Sequence, residues 1–201
     1  MKYLITLFLL VSTFNANAFT ISQQAKVKIW QYNDLLNKSI SQDVSFWTGV
    51  DDDGVGYAEL RIDSGLKRFD IGFTDPLNNP LFAEWKKMLD KTVEWAVIAA
   101  ANEVDIVKYF NEQNKSNLDC TNDDYHCGAN FASHRDGQNS ALVLFMQDKD
   151  NQFYEVSGPI MLDDVLKLSQ AFSKTQEYIN ERKLELADKI KGDEKDDLFK
   201  L

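Results

Sequence analysis

The sequence predicts an α+β domain with a mostly antiparallel sheet, a three-strand meander plus a later hairpin, packed with two long helices. Three observations carry this expectation. Arg68 to Thr74 alternate with period two, Phe69, Ile71 and Phe73 on one side and Arg68, Asp70 and Thr74 on the other, as a half-buried strand does. Polar turns at Asp51 to Gly54 and at Asp63-Ser64-Gly65 separate that run from two earlier apolar ones, so consecutive strands fold back on each other. The helical stripes stand apart from the strands instead of alternating with them, which excludes a doubly wound parallel sheet.

Taken in chain order, the first element reads as a helix from Ser22 to about Lys38, because Ala25, Ile29, Tyr32 and Leu36 fall at helical spacing and Ser22 can cap them. Val44 to Val50, Val55 to Ile62 and Arg68 to Thr74 form the meander. Asn79-Pro80 opens a long helix, since Asn is a good cap and Pro is tolerated where its missing N–H has no partner anyway. Its stripe is Leu81, Trp85, Met88, Leu89, Thr92, Ala96 and Ala99, and the stretch from Val93 to Ala101 is apolar nearly all round, which predicts heavy burial. Asn102 is expected to end it and Asp105 to cap a shorter helix through Phe110. Asn111 to Asn139, rich in Asn, Asp, Ser and Gly, reads as irregular. Ala141 to Met146 is a short apolar run suited to a buried strand, with a turn at Asp148 to Asn151 leading into Phe153 to Ser157. A final helix is expected from Asp163 through Val165, Leu168, Phe172 and Ile179 to Gly192. Residues 1–18 then stand as a signal peptide, 19–192 as one α+β domain, and 193–201 as a charged tail.

The leader has its three parts in order: Lys2, an apolar run from Tyr3 to Val11, and the small-x-small triplet Ala16-Asn17-Ala18. The run is far shorter than the ~20 residues that span a bilayer, so no stable membrane anchor is expected. The address is then the periplasm, or the extracellular space. Without Lys2, 21 Lys and Arg stand against 32 Asp and Glu, a net charge of −11. Nucleic acid is excluded as a partner, because phosphate binding needs clustered Lys and Arg. Aromatics at 12% and hydrophobics at 44% are ample for a packed core.

Cys120 and Cys127 bracket "TNDDYH" in an exported chain, so a disulfide is expected between them. So short a loop gains only about 2 kcal/mol from the closure, which points to a tie that shapes a loop. Within it, Asp123, Asp124, Tyr125 and His126 are the expected partner-binding residues, with Tyr125 as anchor because a tyrosine offers large area with few torsions to fix. No metal and no cofactor is expected: His126 and His134 lack a ligand spacing, and Asp51 to Gly56, read as a calcium loop, puts Val55 and Ile62 where ligands must stand. A Cys–His hydrolase built on Cys120 or Cys127 with His134 lacks a group to lower the thiol pKa, so no catalytic residues are assigned and no enzyme is expected. Trp30, Trp47, Trp85 and Trp95 support an alternative, a ligand-binding or envelope-accessory module in which they line a pocket; as ordinary core they need no ligand.

The segment "CTNDDYHCG", followed by "QNSALVLF", resembles the histidine-bearing disulfide loop and next strand of periplasmic inhibitors of vertebrate-type lysozyme. That resemblance implies a histidine, here His126, inserted into an enzyme's cleft. The present loop is longer, and His126 directly abuts Cys127. The expected function is an exported, non-catalytic binding protein, an inhibitor or immunity-type protein whose partner is another protein, a basic wall-active enzyme. Processing offers the first test. Mature protein recovered from cells should begin within a residue or two of Phe19, because Ala16 and Ala18 are the only small pair after the apolar run. N-terminal sequencing that finds Met1 in the exported product overturns the leader.

Overall fold

Residues from Ala25 to Ile29 can be read with period 3.6 or period two, and the chain adopts the second. The computed structural model describes residues 20–33, 36–63, 68–110, 118–119, 125–148 and 154–197. The expected signal peptide lies outside them. In place of the expected first helix stands strand β1 (Thr20–Asn33). Val27 and Ile29 are buried while Lys26, Lys28 and Trp30 face water, and the strand pairs along its length with β2 (Lys38–Val50). A helix over the same residues leaves the edge of β2 unpaired, so tertiary pairing overrides the helical spacing.

β3 (Gly56–Asp63) and β4 (Arg68–Thr74) complete a first antiparallel sheet in the order β1-β2-β3-β4, so the expected meander gains a fourth strand. The Asp51 carboxylate closes the β2–β3 turn by accepting the N–H groups of Asp53 at 3.1 Å and Val55 at 2.7 Å. Helix α1 (Pro80–Asn102) follows, capped as expected by the Asn79 side chain, which accepts from Leu81 at 3.0 Å and Phe82 at 3.3 Å. Its buried stripe is the expected one from Trp85 to Ala99, but Phe82 is buried at its start where Leu81 was expected, and Leu81 is only half-buried. The heavy burial all round does not occur: Val97 is 64% exposed and Ile98 is open beside it, because only one side of the helix meets the sheets.

After α1 the expected short helix is instead strand β5 (Ile106–Tyr109). Asp105 caps no helix; its carboxylate accepts the N–H of Asp136 at 2.9 Å and steadies the turn that follows His134. The stretch expected to be irregular contains β6 (Leu118–Asp119) and the ten-residue β7 (Tyr125–His134). β8 (Asn139–Asp148), β9 (Tyr154–Val156) and β10 (Ile160–Met161) follow. β5 and β6 share one edge of β7, and β9 and β10 share one edge of β8. The second sheet is therefore a four-strand antiparallel meander whose two edge strands are interrupted. A helix, α2 (Leu162–Ser173), succeeds it, so the chain runs through the order β-β-β-β-α twice. The single last helix expected from the sequence is two: Lys174 interrupts it, and α3 (Thr175–Asp197) runs on past Gly192. The break lets Phe172 face the core while Ile179 packs over Gly56 at the end of the first sheet. Gly192 does not stop α3; a glycine inside a helix costs only ~1 kcal/mol.

One buried cluster draws on both sheets and both inner helices. Phe46 of β2, Phe73 of β4, Phe82 of α1 and Phe172 of α2 meet at its centre, with ring centroids from 4.2 to 6.4 Å apart. A polar seam joins the sheets. The buried Gln42 amide donates to Gln31 Oε1 at 2.7 Å and accepts the Gly158 N–H at 2.8 Å. Gly158 lies so close to β1 that a Cβ there would stand 2.5 Å from the Trp30 carbonyl oxygen. Phe73 is fully buried, so Phe73→Ala should cost ~3–5 kcal/mol in denaturant melts. A loss under about 1 kcal/mol places that strand face in solvent and refutes the packing.

Candidate functional surface

Tyr125 and His126, expected in a loop, begin strand β7. Tyr125 stands opposite Asp148, and His126 stands between Gln147 of β8 and Asp119 of β6. Asp123, Asp124 and Cys120 lie outside the described residues, as do the side chains of Tyr125, His126 and Cys127, so the expected disulfide lies outside them too. His134 ends the same strand, opposite Asn139. Eight residue-to-residue steps of extended chain set the two histidines ~26 Å apart, too far to share a metal. Among the described residues no three His, Cys, Asp or Glu side chains come together. The Asp51 to Gly54 segment is a turn whose first carboxylate is spent on the backbone.

The four tryptophans do not converge. Trp85 is in the core, Trp30 is exposed on β1, Trp47 lies under Arg61, and Trp95 stacks on Phe110 at 4.8 Å.

The outer faces of the two sheets differ in chemistry. On the second, register carries one row across all four strands: Val107 of β5, Ala132 of β7, Ala141 of β8 and Met161 of β10. A second row holds Tyr109, Asn130 and Val143. Val107 is 52% exposed, Tyr109 46% and Met161 43%. Beside them the Phe145 ring lies flat over Gly128, where any Cβ would collide with it. Asn130 Oδ1 is buried and has no donor among the described residues. Lys108 turns to the other side, its Nζ 5.1 Å from the Trp95 ring. Near this face the exposed charges of the β5 and β7 ends are Glu103, Asp105 and Asp136 against Arg135. Sequence reasoning missed these residues. The alternation in "IVKY", with β-branched and aromatic residues two apart, was the available signal.

The first sheet shows water a paired, charged face. Glu59 on β3 takes a hydrogen bond from the Tyr57 hydroxyl at 2.9 Å and another from Arg61, with Arg68 at 3.5 Å. Arg68 in turn holds Asp70 at 2.7 Å, and the Arg61 guanidinium covers Trp47 at 4.4 Å. Burial alone pushes the Glu59 carboxyl up, but the hydrogen bonds from Arg61 and Tyr57 and the charges of Arg61 and Arg68 outweigh it and hold the group below its ordinary value. Burial, then the Glu59 charge, pushes the Tyr57 phenol above its ordinary value, so it stays a donor. Such a carboxylate is locked ionised, and it is not poised to trade a proton near neutral pH.

No family model matches the chain, and no curated protein matches it.

The Glu59 network makes a pH-dependent prediction. A carboxyl whose folded pKa is depressed adds stability above its unfolded pKa and loses it as pH falls through the folded value. Glu59 should therefore stabilise the fold at neutral pH and cease to do so below the ordinary value of 4.5. Glu59→Gln should lower stability at neutral pH and shrink the gap to wild type under acid in paired urea melts. An equal gap on both sides of that range rejects the network as drawn.

Proposed function

We propose that this chain is an exported, non-catalytic protein-binding protein that docks through the outer face of its second sheet onto a basic partner, an enzyme acting on the cell wall, and holds it inactive. The carrying observation is the row that register carries from Val107 through Ala132 and Ala141 to Met161, in which Val107 and Met161, with Tyr109 beside them, are open to water, on a chain of net charge −10. Exposed apolar side chains with a tyrosine among them are the chemistry of a binding hot spot. The first sheet's outer face is chiefly charge paired with charge, with Trp30 exposed at its β1 edge beside Lys28. Glu103, Asp105 and Asp136 at one end of the apolar rows, against Arg135, favour a basic partner and speed its approach, and the chain's net negative charge discourages self-association. Tyr125 and His126 stand farther along β7, so a partner lying along that strand reaches from Tyr109 to the bracketed loop. The resemblance of that loop to lysozyme-inhibitor loops supports the choice of partner class.

The test uses the mature protein, Val107→Asp, Tyr109→Ala and His126→Ala, each checked for an unchanged melt. A basic wall-lytic enzyme captured from envelope extract should lose activity on stoichiometric addition of wild type. Val107→Asp and Tyr109→Ala should each weaken inhibition at least about tenfold, a change of ~1.4 kcal/mol. Inhibition unchanged by both, or turnover of wall material by the purified protein itself, overturns the proposal.

A further inference from the structure

A cleft of about 250 Å³ opens where two irregularities face each other, the bulge in β1 and the break between α2 and α3. Gln24, Lys26, Lys167, Gln170, Lys174 and Tyr178 line it. We propose that this cleft is a binding site for a small oxyanion, a carboxylate- or phosphate-bearing molecule, received by Lys174 with Lys26 and Lys167 at the rim. It is a separate site from the docking face and stands or falls independently.

The charge distribution is the first argument. In a chain with 32 acidic and 22 basic residues, the lining holds three lysines and no carboxylate. The rest of the surface repels an anion, and this concavity attracts it.

The local architecture is the second argument. The pairing of β1 with β2 slips between Gln23 and Ala25, and the Gln24 side chain is drawn back to Thr48 Oγ1 at 2.8 Å and to the Ser22 carbonyl at 3.4 Å. That tether fixes one wall. On the other wall Lys174 leaves helical geometry, yet its N–H is satisfied by the carbonyls of Gln170 at 3.1 Å and Ala171 at 3.2 Å. The bend therefore costs the backbone little. Among the described residues the Lys174 ammonium has no carboxylate beside it, and the Gln170 amide and Tyr178 hydroxyl have no bonded partner. These are the donors left open for a ligand.

Lys26 and Lys167 are each held by one carboxylate, Asp43 at 2.8 Å and Asp164 at 2.6 Å. An ammonium has three N–H donors, so each keeps donors to spare. Lysines act as point charges and do not form the rigid fork of arginine, so carboxylate and phosphate are both accepted. The volume lies below the ~300–1,000 Å³ of sites for drug-sized ligands, which limits the occupant to a small molecule.

The experiment is an amide-resolved NMR titration of the full mature protein with inorganic phosphate and, separately, with citrate. Expected are saturable shifts confined to Ala25, Ala171, Lys174 and their neighbours, weakened by added salt as exposed charges require. Saturation by one anion alone names the oxyanion the cleft prefers. Lys174→Glu should raise the apparent Kd at least about tenfold while the remaining spectrum stays in place. Lys87→Glu, on the exposed side of α1, should titrate as wild type. Shifts that never saturate with either anion, that spread over all exposed lysines, or that persist unchanged in Lys174→Glu overturn the site.

Discussion

Four phenylalanine rings hold this structure at one point. Phe172 stacks on Phe46 at 4.2 Å and on Phe82 at 5.0 Å, and Phe73 meets Phe82 edge-on at 5.3 Å. Two strands of the first sheet and both inner helices are thereby pinned together, and each such pair adds ~0.5–1.5 kcal/mol beyond the area it buries. The second sheet depends on this arrangement, because Leu142, Leu144 and Ile160 complete the same cluster. Burial is dense enough to tolerate a local cost: Trp85 Nε1 sits in the core without an acceptor among the described residues, a penalty of ~1–3 kcal/mol.

With the inner faces committed to one core, the outer faces are free to differ. On the first sheet, cross-strand neighbours satisfy one another through Glu59, Arg61, Arg68 and Asp70, which leaves little unspent chemistry. The second sheet does the opposite. Its central positions hold small or apolar residues, and its cation, Lys108, is turned towards α1. A strand edge in such a sheet invites unwanted pairing. Here both edges are broken, into β5 and β6 on one side and β9 and β10 on the other, which shortens any stretch that another strand can join.

Legibility in the sequence followed the strength of the local signal. β4 and the Asn79 cap of α1 were plain, because strict alternation and an Asn-Pro start each leave one physical choice. β1 was not: Ala25 and Ile29 fit both periods, and only pairing with β2, a distant constraint, selects one. β7 hid for a different reason. Gly128, Ala129, Asn130 and Ala132 carry weak strand propensity, and Phe145 of the next strand supplies the bulk missing at Gly128. The break at Lys174 has no proline or glycine to announce it; burial of Phe172 and Ile179 against different neighbours imposes it. The candidate docking face was equally hidden, since its rows are assembled from four strands and no short window contains them.

The seam between the sheets has a consequence for how the chain reaches and leaves its folded state. Nearly all strand pairings here join sequence neighbours, and such local contacts close quickly. The bond from Gly158 to Gln42 spans 116 residues and joins the two meanders. Contacts made after the rate-limiting barrier influence how fast a protein opens far more than how fast it closes. If the two meanders form before they join, loss of the Gln42 amide shortens the lifetime of the assembled pair of sheets more than it slows their formation.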